Sequence, residues 1–273
     1  MPSSLKHLIK KYLWRIVFHN KIYGNAVKEN KTYLSLLNSS SKFATQKLNI
    51  FTKADEDGIL LAIFSKIGTT NKLFIDIGSN DCINSNCANL AFHHNWSGLF
   101  IDGNHNILNR GKYIYQKYFK QNSNRFLFTQ AIVTTQNINT ILASTSYPNQ
   151  IDLLCIDLDG NDYHIWNAIE TILPRVVIVE VQVEKGNTEF IPPYTTEFEL
   201  YEDDTPKGAS PLSMLKLAKT KGYHLVAVNN GCYNLFFVHQ DYTKNLNVLS
   251  IEEALKNTYQ LLYMYLLFYN SIF

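Results

Sequence analysis

Acidic side chains lie within or directly after several short apolar runs of the chain. Asp76 falls inside the run 73–77, and Asp102, Asp157 and Glu180 each close a later run. Apolar runs that alternate with helical stretches predict the strands of a parallel sheet. Because ligands of open α/β sheets bind beyond the carboxyl ends of the strands, we expect these carboxylates to face one site. Such a site suits cations and hydroxyl groups better than anions.

The first of these turns, Asp76-Ile-Gly78-Ser79-Asn80-Asp81, indicates which ligand the site takes. A dinucleotide site brings a pyrophosphate against a helix N-terminus and uses Gly-x-Gly-x-x-Gly so that the backbone can approach. This turn has a single glycine, and Asp81 would repel a phosphate. The ammonium and sulfonium groups of S-adenosylmethionine would be attracted, so the turn favours that cofactor. An ordinary strand-to-helix turn without a ligand is the alternative.

The cofactor contacts are expected from the ends of the first four strands. The predicted cofactor-binding residues are Asp76, Gly78, Ser79, Asn80, Asp81, Asp102, Gly103, Ala131 and Asp157. The carboxylate of Asp102 would bind both ribose hydroxyls, and Ala131, with Gln130 or Ile132, would flank the adenine. Gly78 would let the methionine portion approach the backbone, beside the acids that hold its ammonium. A simple helix cap is the alternative role for Asp102.

The elements that position these residues alternate between helix and strand. The predicted helices span 56–67, about 83–94, 106–119, 138–144, 163–172 and 211–221, and the predicted strands span 73–77, 98–102, 126–131, 151–157, 176–181, 223–228 and 233–238. The alternation predicts a parallel sheet for the first five strands. An Asn-Asn-Gly turn joins the last two strands into a hairpin, so the last strand is antiparallel. We therefore expect an α/β fold of the class I methyltransferase (Rossmann-like) type, with a mostly parallel seven-stranded sheet.

Short stretches in a fixed order carry a family resemblance over about residues 55–240. They are Glu56-Asp-Gly-Ile, Phe74-Ile-Asp-Ile-Gly-Ser-Asn-Asp, Ile101-Asp-Gly, Asn137-Ile-Asn, Ile156-Asp-Leu-Asp-Gly-Asn-Asp-Tyr, Val177-Val-Ile-Val-Glu180 and Gly208-Ala-Ser. Together they resemble the FkbM-like class I methyltransferases. The resemblance implies methyl transfer from S-adenosylmethionine to a hydroxyl, often on a sugar or a polyketide-type product.

One stretch departs from the family pattern. The usual Asp-x-Glu-Gly-x-Glu after strand four stands here as Asp157-Leu-Asp159-Gly-Asn-Asp162. It is therefore also similar to the Asp-Gly-Asp stretch of the metal-dependent macrocin O-methyltransferases.

A hydroxyl acceptor needs a base or a metal, because it is too weak an acid to ionise at neutral pH. We expect Asp159 and Glu180 to bind Mg²⁺ or Mn²⁺, since carboxylates suit hard cations. Asp157 would lie nearer the cofactor, and at least one of Asp157 and Asp159 would be catalytic. Without metal, Asp159 or His164 could act alone as the general base. Asp162 could serve only as the N-cap of the helix that follows.

The stretch 182–210 lacks regular periodicity and is expected to cover the acceptor. It interleaves the acids Glu184, Glu189, Glu197, Glu199, Glu202, Asp203 and Asp204 with the aromatic residues Phe190, Tyr194, Phe198 and Tyr201. Loops of this length are usually lids or binding loops. Carboxylates and aromatic rings favour a neutral, hydroxyl-rich acceptor such as a sugar, and they would repel nucleic acid. A solvated loop without contact to substrate is the alternative.

Length and composition fit one large α/β domain with additions. The chain has 273 residues and a formal net charge of +2, which gives no indication of a nucleic-acid partner. Cys82, Cys87, Cys155 and Cys232 form no Cys-x-x-Cys pair, and no secretory signal precedes them, which predicts a reducing cytoplasm. We expect a helical extension over 1–55, the S-adenosylmethionine-binding domain over 56–245 and a helical tail over 246–273.

Both ends of the chain carry apolar residues outside that domain. Residues 5–16 show helical spacing of apolar side chains with lysines on the other face, which predicts a packing or dimer helix. A membrane-surface contact is the alternative. The apolar run 261–273 is too short to span a bilayer, which takes about 20 residues. We therefore expect no transmembrane segment, and burial of this run against the body or a second subunit. Contact of the terminal helices with a second subunit would make the protein a homo-oligomer.

The residues together favour a cytoplasmic O-methyltransferase acting on a carbohydrate hydroxyl, and the family resemblance implies a nucleotide-linked sugar or a surface-glycan precursor as the acceptor. Methylation of a small non-sugar metabolite is one alternative, and a non-catalytic cofactor-binding or scaffold protein is another. A nucleotide-sugar oxidoreductase is disfavoured by the missing glycines and the terminal hairpin.

Overall fold

The computed structural model of the chain describes residues 18–39, 47–196 and 208–256. The predicted helix over 5–16, the acids between 197 and 207 and the run 261–273 lie outside these ranges. Within the described part, no helix is both long and apolar enough to cross a bilayer.

A seven-stranded mixed sheet forms the centre of the molecule. Its strands are β1 (Leu73–Ile77), β2 (Ser97–Asp102), β3 (Phe126–Gln130), β4 (Gln150–Ile156), β5 (Leu173–Glu180), β6 (Tyr223–Val228) and β7 (Asn234–His239), in the order β3-β2-β1-β4-β5-β7-β6. The first five strands are parallel, and β7 runs antiparallel to both β5 and β6. The predicted fold class, with its antiparallel hairpin strand, is confirmed.

Helices cover both faces of this sheet. They are α1 (Asn25–Ser39), α2 (Glu56–Ile67), α3 (Ala88–His93), α4 (His105–Phe119), α5 (Ile138–Ala143), α6 (Asp162–Ala168) and α7 (Pro211–Thr220), and residues 251–256 are helical as well. Alternate strand residues face opposite layers, so Phe74 packs with α2, α3 and α4 while Ile75 packs with α5, α6 and α7. Tyr33 and Phe51 join the first of these cores, so the N-terminal part packs on the same sheet.

Two helices are shorter than the sequence predicts. The predicted helix 83–94 is helical only over Ala88–His93. Residues 82–87 form bends and a turn instead. The Asp81 carboxylate accepts the N–H groups of Ile83 and Asn84 in this segment. The predicted helix 163–172 ends at Ala168, since the next free N–H groups donate to the side chain of Asn139.

Candidate functional site

Two adjoining cavities lie at the carboxyl ends of the strands. The larger has a volume of about 810 Å³ and is lined by the ends of β1 to β4; we call it the large cavity. The smaller, of about 50 Å³, reaches toward β5 and the β6–β7 hairpin; we call it the acidic cavity. Their walls share Thr52, Lys53, Gly78, Asn84 and Asp157. A single ligand can therefore extend from one cavity into the other.

Asp102 closes β2 and faces the large cavity. Its Oδ2 accepts the N–H of Asn80 at 2.7 Å, and its Oδ1 accepts the N–H of Asn104 at 2.7 Å. Each carboxylate oxygen can accept a further hydrogen bond, so the group is held in place and can still bind a diol. The cap of α4 is Asn104, whose side chain accepts the N–H groups of Asn106 and Ile107. The helix-cap alternative for Asp102 is therefore wrong.

Beyond Asp102, the large cavity has an apolar end. It is lined there by Gly103, Ala131, Ile132 and Val133. The Ala131 N–H donates to the carbonyl of Asp102 at 3.1 Å, so the residue that follows β3 is bonded to the last residue of β2. Ile132 is 58% exposed and offers apolar surface to this end of the cavity. This end suits the face of a planar ring.

Gly78 lies at the junction of the two cavities, where the backbone of β4 passes close by. It has a φ of +80°, and a Cβ there would stand 1.7 Å from the carbonyl oxygen of Asp157. Position 78 therefore requires glycine because the protein's own backbone passes close by. The expected approach of the methionine portion stays a prediction, supported by the position of Gly78 on both cavity walls.

The first turn does not present all its polar residues to the cavities. Ser79 lines the acidic cavity and Asn80 the large cavity. The carboxylate of Asp81 is buried, accepts the N–H groups of Ile83 and Asn84 and pairs with Arg110 at 2.7 Å. Asp81 lines neither cavity, so the structure does not bring it to the position from which it would repel a phosphate or hold an ammonium.

Four carboxylates from four different elements line the acidic cavity. Glu56 begins α2, Asp76 lies in β1, Asp157 follows β4 and Glu180 ends β5. Asp76 accepts a hydrogen bond from the Ser85 hydroxyl at 2.5 Å. Burial raises the pKa of Asp76 to about 7, and the neighbouring charges of Asp157 and Asp102 add to the shift.

The pKa values of Glu180 and Asp157 are raised as well. Burial, followed by the charges of Asp157, Asp162 and Asp159, raises the pKa of Glu180 to about 9. Burial and then the charge of Asp159 also raise the pKa of Asp157. Without a ligand, Glu180 therefore retains its proton at neutral pH, and a bound cation would favour its ionised form.

The predicted metal ligands are brought together. Carboxylate oxygens of Asp157, Asp159 and Glu180 all lie within 4.8 Å of one another. Asp159 is exposed on a turn with a φ of 49°, whereas Asp157 and Glu180 are half-buried. Three carboxylates at this spacing match the oxygen donors that Mg²⁺ and Mn²⁺ prefer.

Asp162 is a residue of the turn after β4. Its oxygens accept the N–H groups of Leu158 at 2.8 Å and Gly160 at 3.0 Å. Burial raises its pKa to about 7. The N-cap of α6 is Asn161, so the capping role considered for Asp162 is wrong. Asp162 instead holds the turn that carries Asp159.

His164 points away from the cavities. Its Nε2 lies 2.8 Å from the carbonyl oxygen of Pro192, and its ring packs against Tyr194. It lines neither cavity, so the structure does not bring it to the position expected of a general base. It anchors the segment after β5 instead.

The described part of the expected acceptor loop is tied down at several points. Asn161 donates to the carbonyl of Thr195 at 2.6 Å, and the Tyr194 hydroxyl accepts the N–H of Thr135. Residues 183–196 line neither cavity. Most of the acids that motivated a sugar-binding lid fall between 197 and 207, outside the described residues, so the lid stays a prediction.

The N-terminal part contributes site residues that our sequence analysis missed. Glu56 accepts hydrogen bonds from the amides of Asn229 at 2.8 Å and Asn234 at 3.2 Å, across the chain. Lys53 lines both cavities, and Lys21 lines the large one. The sequence gives no distinct signal for these residues, since acids such as Glu56 and Asp57 are common in the first turn of a helix.

No family model and no curated protein matches the sequence. Solved structures with a similar fold include the N-terminal domain of EvdMO1 with S-adenosylhomocysteine bound, at a TM-score of 0.46 and 10% identity, covering 80% of this chain and 98% of that one. Another is the methyltransferase domain of bacterial CtHen1, at 0.42 and 15%, covering 67% and 96%. A third is magnesium protoporphyrin IX methyltransferase from Synechocystis PCC 6803 with bound S-adenosylmethionine, at 0.42 and 11%, covering 86% and 96%. At such identities, residue roles do not transfer to this chain.

Proposed function

We propose that this protein is an S-adenosylmethionine-dependent O-methyltransferase. The observation that carries the proposal is the large cavity at the carboxyl ends of β1 to β4, with Asp102 on its wall. The sheet order reverses between β1 and β4, and ligands of open α/β sheets bind at that point. The turn after β1 has no glycine-rich phosphate loop, which favours a nucleoside cofactor without phosphate.

The cavity walls suit successive parts of this cofactor. The adenine would lie at the apolar end near Ala131 and Ile132, and the ribose hydroxyls would donate to Asp102. The methionine portion would pass Gly78 into the acidic cavity. Its ammonium and the sulfonium would there be attracted by Asp76 and Asp157.

The transfer needs a hydroxyl in line with the methyl group and a group that takes its proton. The acceptor oxygen forms the new O–CH₃ bond while the S–CH₃ bond breaks, and the electron pair stays on sulfur. Without a bound metal, the proton would pass to Asp157 or Asp159. Asp157, Asp159 and Glu180 would hold a divalent cation. When bound, Mg²⁺ or Mn²⁺ supplies positive charge that lowers the pKa of a nearby hydroxyl.

We further propose a carbohydrate acceptor, on a nucleotide-linked sugar or a surface-glycan precursor. Several carboxylates near the proposed methyl position suit a ligand rich in hydroxyl groups, and the family resemblance favours sugars. Methylation of a small non-sugar metabolite is the alternative within the same chemistry. A cytoplasmic location and self-association through the terminal helices stay predictions.

Methyl transfer can be tested with isotopically labelled S-adenosylmethionine and a panel of nucleotide-linked sugars and small phenols, with and without Mg²⁺. The proposal expects label in a sugar product, identified by mass spectrometry as a methyl ether. Label in a phenol instead would support the non-sugar alternative. A protein that binds S-adenosylhomocysteine but labels none of these acceptors would favour a non-catalytic binding role.

A further inference from the structure

Residues 50–53 form a strap that contributes to the walls of both cavities. Phe51 lines the large cavity, while Thr52 and Lys53 line both. The strap precedes α2 and belongs to the N-terminal part of the chain, outside the sheet. It brings the Lys53 side chain to the point where the two cavities join.

The strap is held by a buried carboxylate. Oδ2 of Asp57 accepts the N–H groups of Ile50 and Phe51, each at 2.7 Å, and of Thr52 at 3.4 Å. Asp57 is 1% exposed, so these bonds form in a water-poor environment where they are strong. On the other side, the Lys21 ammonium donates to the carbonyl of Phe51 at 3.2 Å. The backbone that carries Lys53 is therefore built into the fold.

In the described part of the chain, one basic and several acidic side chains line the acidic cavity. Among the described residues that line the acidic cavity, Lys53 alone is basic, and it shares the lining with Glu56, Asp76, Asp157 and Glu180. The positive charge of Lys53 opposes the effect of burial on the pKa of Asp157, which places the two groups near each other. The cavity thus offers several anions and one cation within a narrow space. An α-amino acid zwitterion has the complementary charges.

We propose that Lys53 binds the α-carboxylate of the methionine portion of the cofactor. This inference rests on the proposed function and deepens it. With the ammonium of the ligand toward Asp76 and Asp157, its carboxylate would lie toward Lys53 at the cavity junction. The adenosine would occupy the large cavity on the other side of that junction. The strap is then part of the cofactor site, and Asp57 is a positioning residue that acts through it.

The test compares two ligands that differ in the amino-acid portion. S-adenosylhomocysteine carries the α-carboxylate, whereas 5′-methylthioadenosine has the adenosine and the thioether without it. Calorimetric titration of the full chain should give a Kd for S-adenosylhomocysteine that is about tenfold or more higher in Lys53→Met, because a charge-assisted hydrogen bond is lost. The Kd for 5′-methylthioadenosine should not change, and Lys53→Arg should retain most of the affinity.

Lys112→Met is the matched control, since Lys112 is exposed on α4 away from both cavities. It should leave both dissociation constants unchanged. An equal loss for the two ligands in Lys53→Met, or no loss for either, would overturn the proposal while leaving the proposed cofactor in place. If the wild-type chain binds neither ligand, the proposed function itself fails, and the role of Lys53 fails with it.

Discussion

The two ends of strand β4 place an aspartate in opposite circumstances. At the start of the strand, the Asp152 carboxylate accepts the N–H groups of Thr70, Asn71 and Lys72. It also pairs with Arg175 at 2.8 Å, and both groups are buried. Arg175 in turn donates to the carbonyls of Gly68 and Ile67. Each charge at this end has its partner within the fold.

At the other end of the same strand, Asp157 lies among acids. Asp159, Glu180 and Glu56 all add negative charge near it, and Lys53 is the nearby cation. Burial raises the pKa values of Asp157 and Glu180, because few cations compensate their charges. The comparison teaches that the acid of the amino-terminal edge is neutralised within the fold, whereas the acids of the carboxyl edge lie close together with little compensating charge, as the proposed cationic ligand would require.

Breaking the amino-terminal pair should have the largest effect on stability. Arg175→Met leaves Asp152 buried without its cation and should lower the free energy of unfolding by about 3–5 kcal/mol. Urea denaturation measures the change. Lys216→Met, which removes an exposed ion pair with Glu189, should change stability by less than about 1 kcal/mol. Equal effects of the two variants would contradict the role assigned to the buried pair.

At the carboxyl edge, Asp159→Ala should remove activity and leave the fold intact. We expect methyl transfer to fall about a hundredfold or more, because a group that takes a proton or holds a metal contributes on that scale. Binding of S-adenosylhomocysteine should be nearly unchanged. Asp241→Ala, at another exposed acid, is the control for both measurements. Full activity in Asp159→Ala would refute the catalytic assignment.

Asp102→Ala should weaken cofactor binding, since two hydrogen bonds from ribose hydroxyls to a charged group would be lost. Each such bond contributes about 1.5–3 kcal/mol, so the Kd should rise at least about tenfold. Isothermal titration with S-adenosylhomocysteine measures this, and circular dichroism checks that the turn after β2 has not unfolded the chain. An unchanged Kd would remove Asp102 from the site.

The smallest expected effect is a change in stability with pH. Its sign tests whether the Glu180 charge is compensated within the fold. The folded-state pKa of Glu180 is raised to about 9 from the ordinary value of 4.5. Its contribution to stability is therefore full below about pH 4.5 and is lost as the pH rises toward 9. Glu180→Gln should stabilise the ligand-free protein at pH 8 by about 0.5–2 kcal/mol, with little change at pH 4.

Thermal unfolding of wild type and Glu180→Gln between pH 4 and pH 9 checks this prediction. Glu184→Gln, on the exposed turn that follows β5, is the matched control and should show no such pH dependence. A Gln variant that is less stable than wild type at pH 8 would mean that the Glu180 charge is compensated within the fold, as that of Asp152 is.

The sequence predicts those parts of the site that depend on strand ends. Asp102, Asp157 and Glu180 come together because parallel strands terminate at one edge of the sheet, and the apolar runs locate these ends. The β6–β7 hairpin is likewise encoded locally, by its Asn-Asn-Gly turn. The sequence therefore predicts which segments form strands and helices. It does not predict where α3 begins or where α6 ends.

Other parts depend on side-chain direction or distant contacts, which a local pattern does not encode. Asp81 borders neither cavity, in a turn with positive φ on both sides of it. His164 faces Pro192 across a loop. Glu56 meets Asn229 and Asn234 only after the whole sheet has formed, since more than 170 positions separate them in the chain. No periodicity links those residues.

The most direct test of the central claim is a calorimetric titration of the wild-type protein with S-adenosylhomocysteine, with NAD as the control. The charge arrangement at the carboxyl edge predicts binding of S-adenosylhomocysteine in about the micromolar range and no binding of NAD. Binding of NAD, or failure of S-adenosylhomocysteine to bind with and without Mg²⁺ or Mn²⁺, would contradict the account.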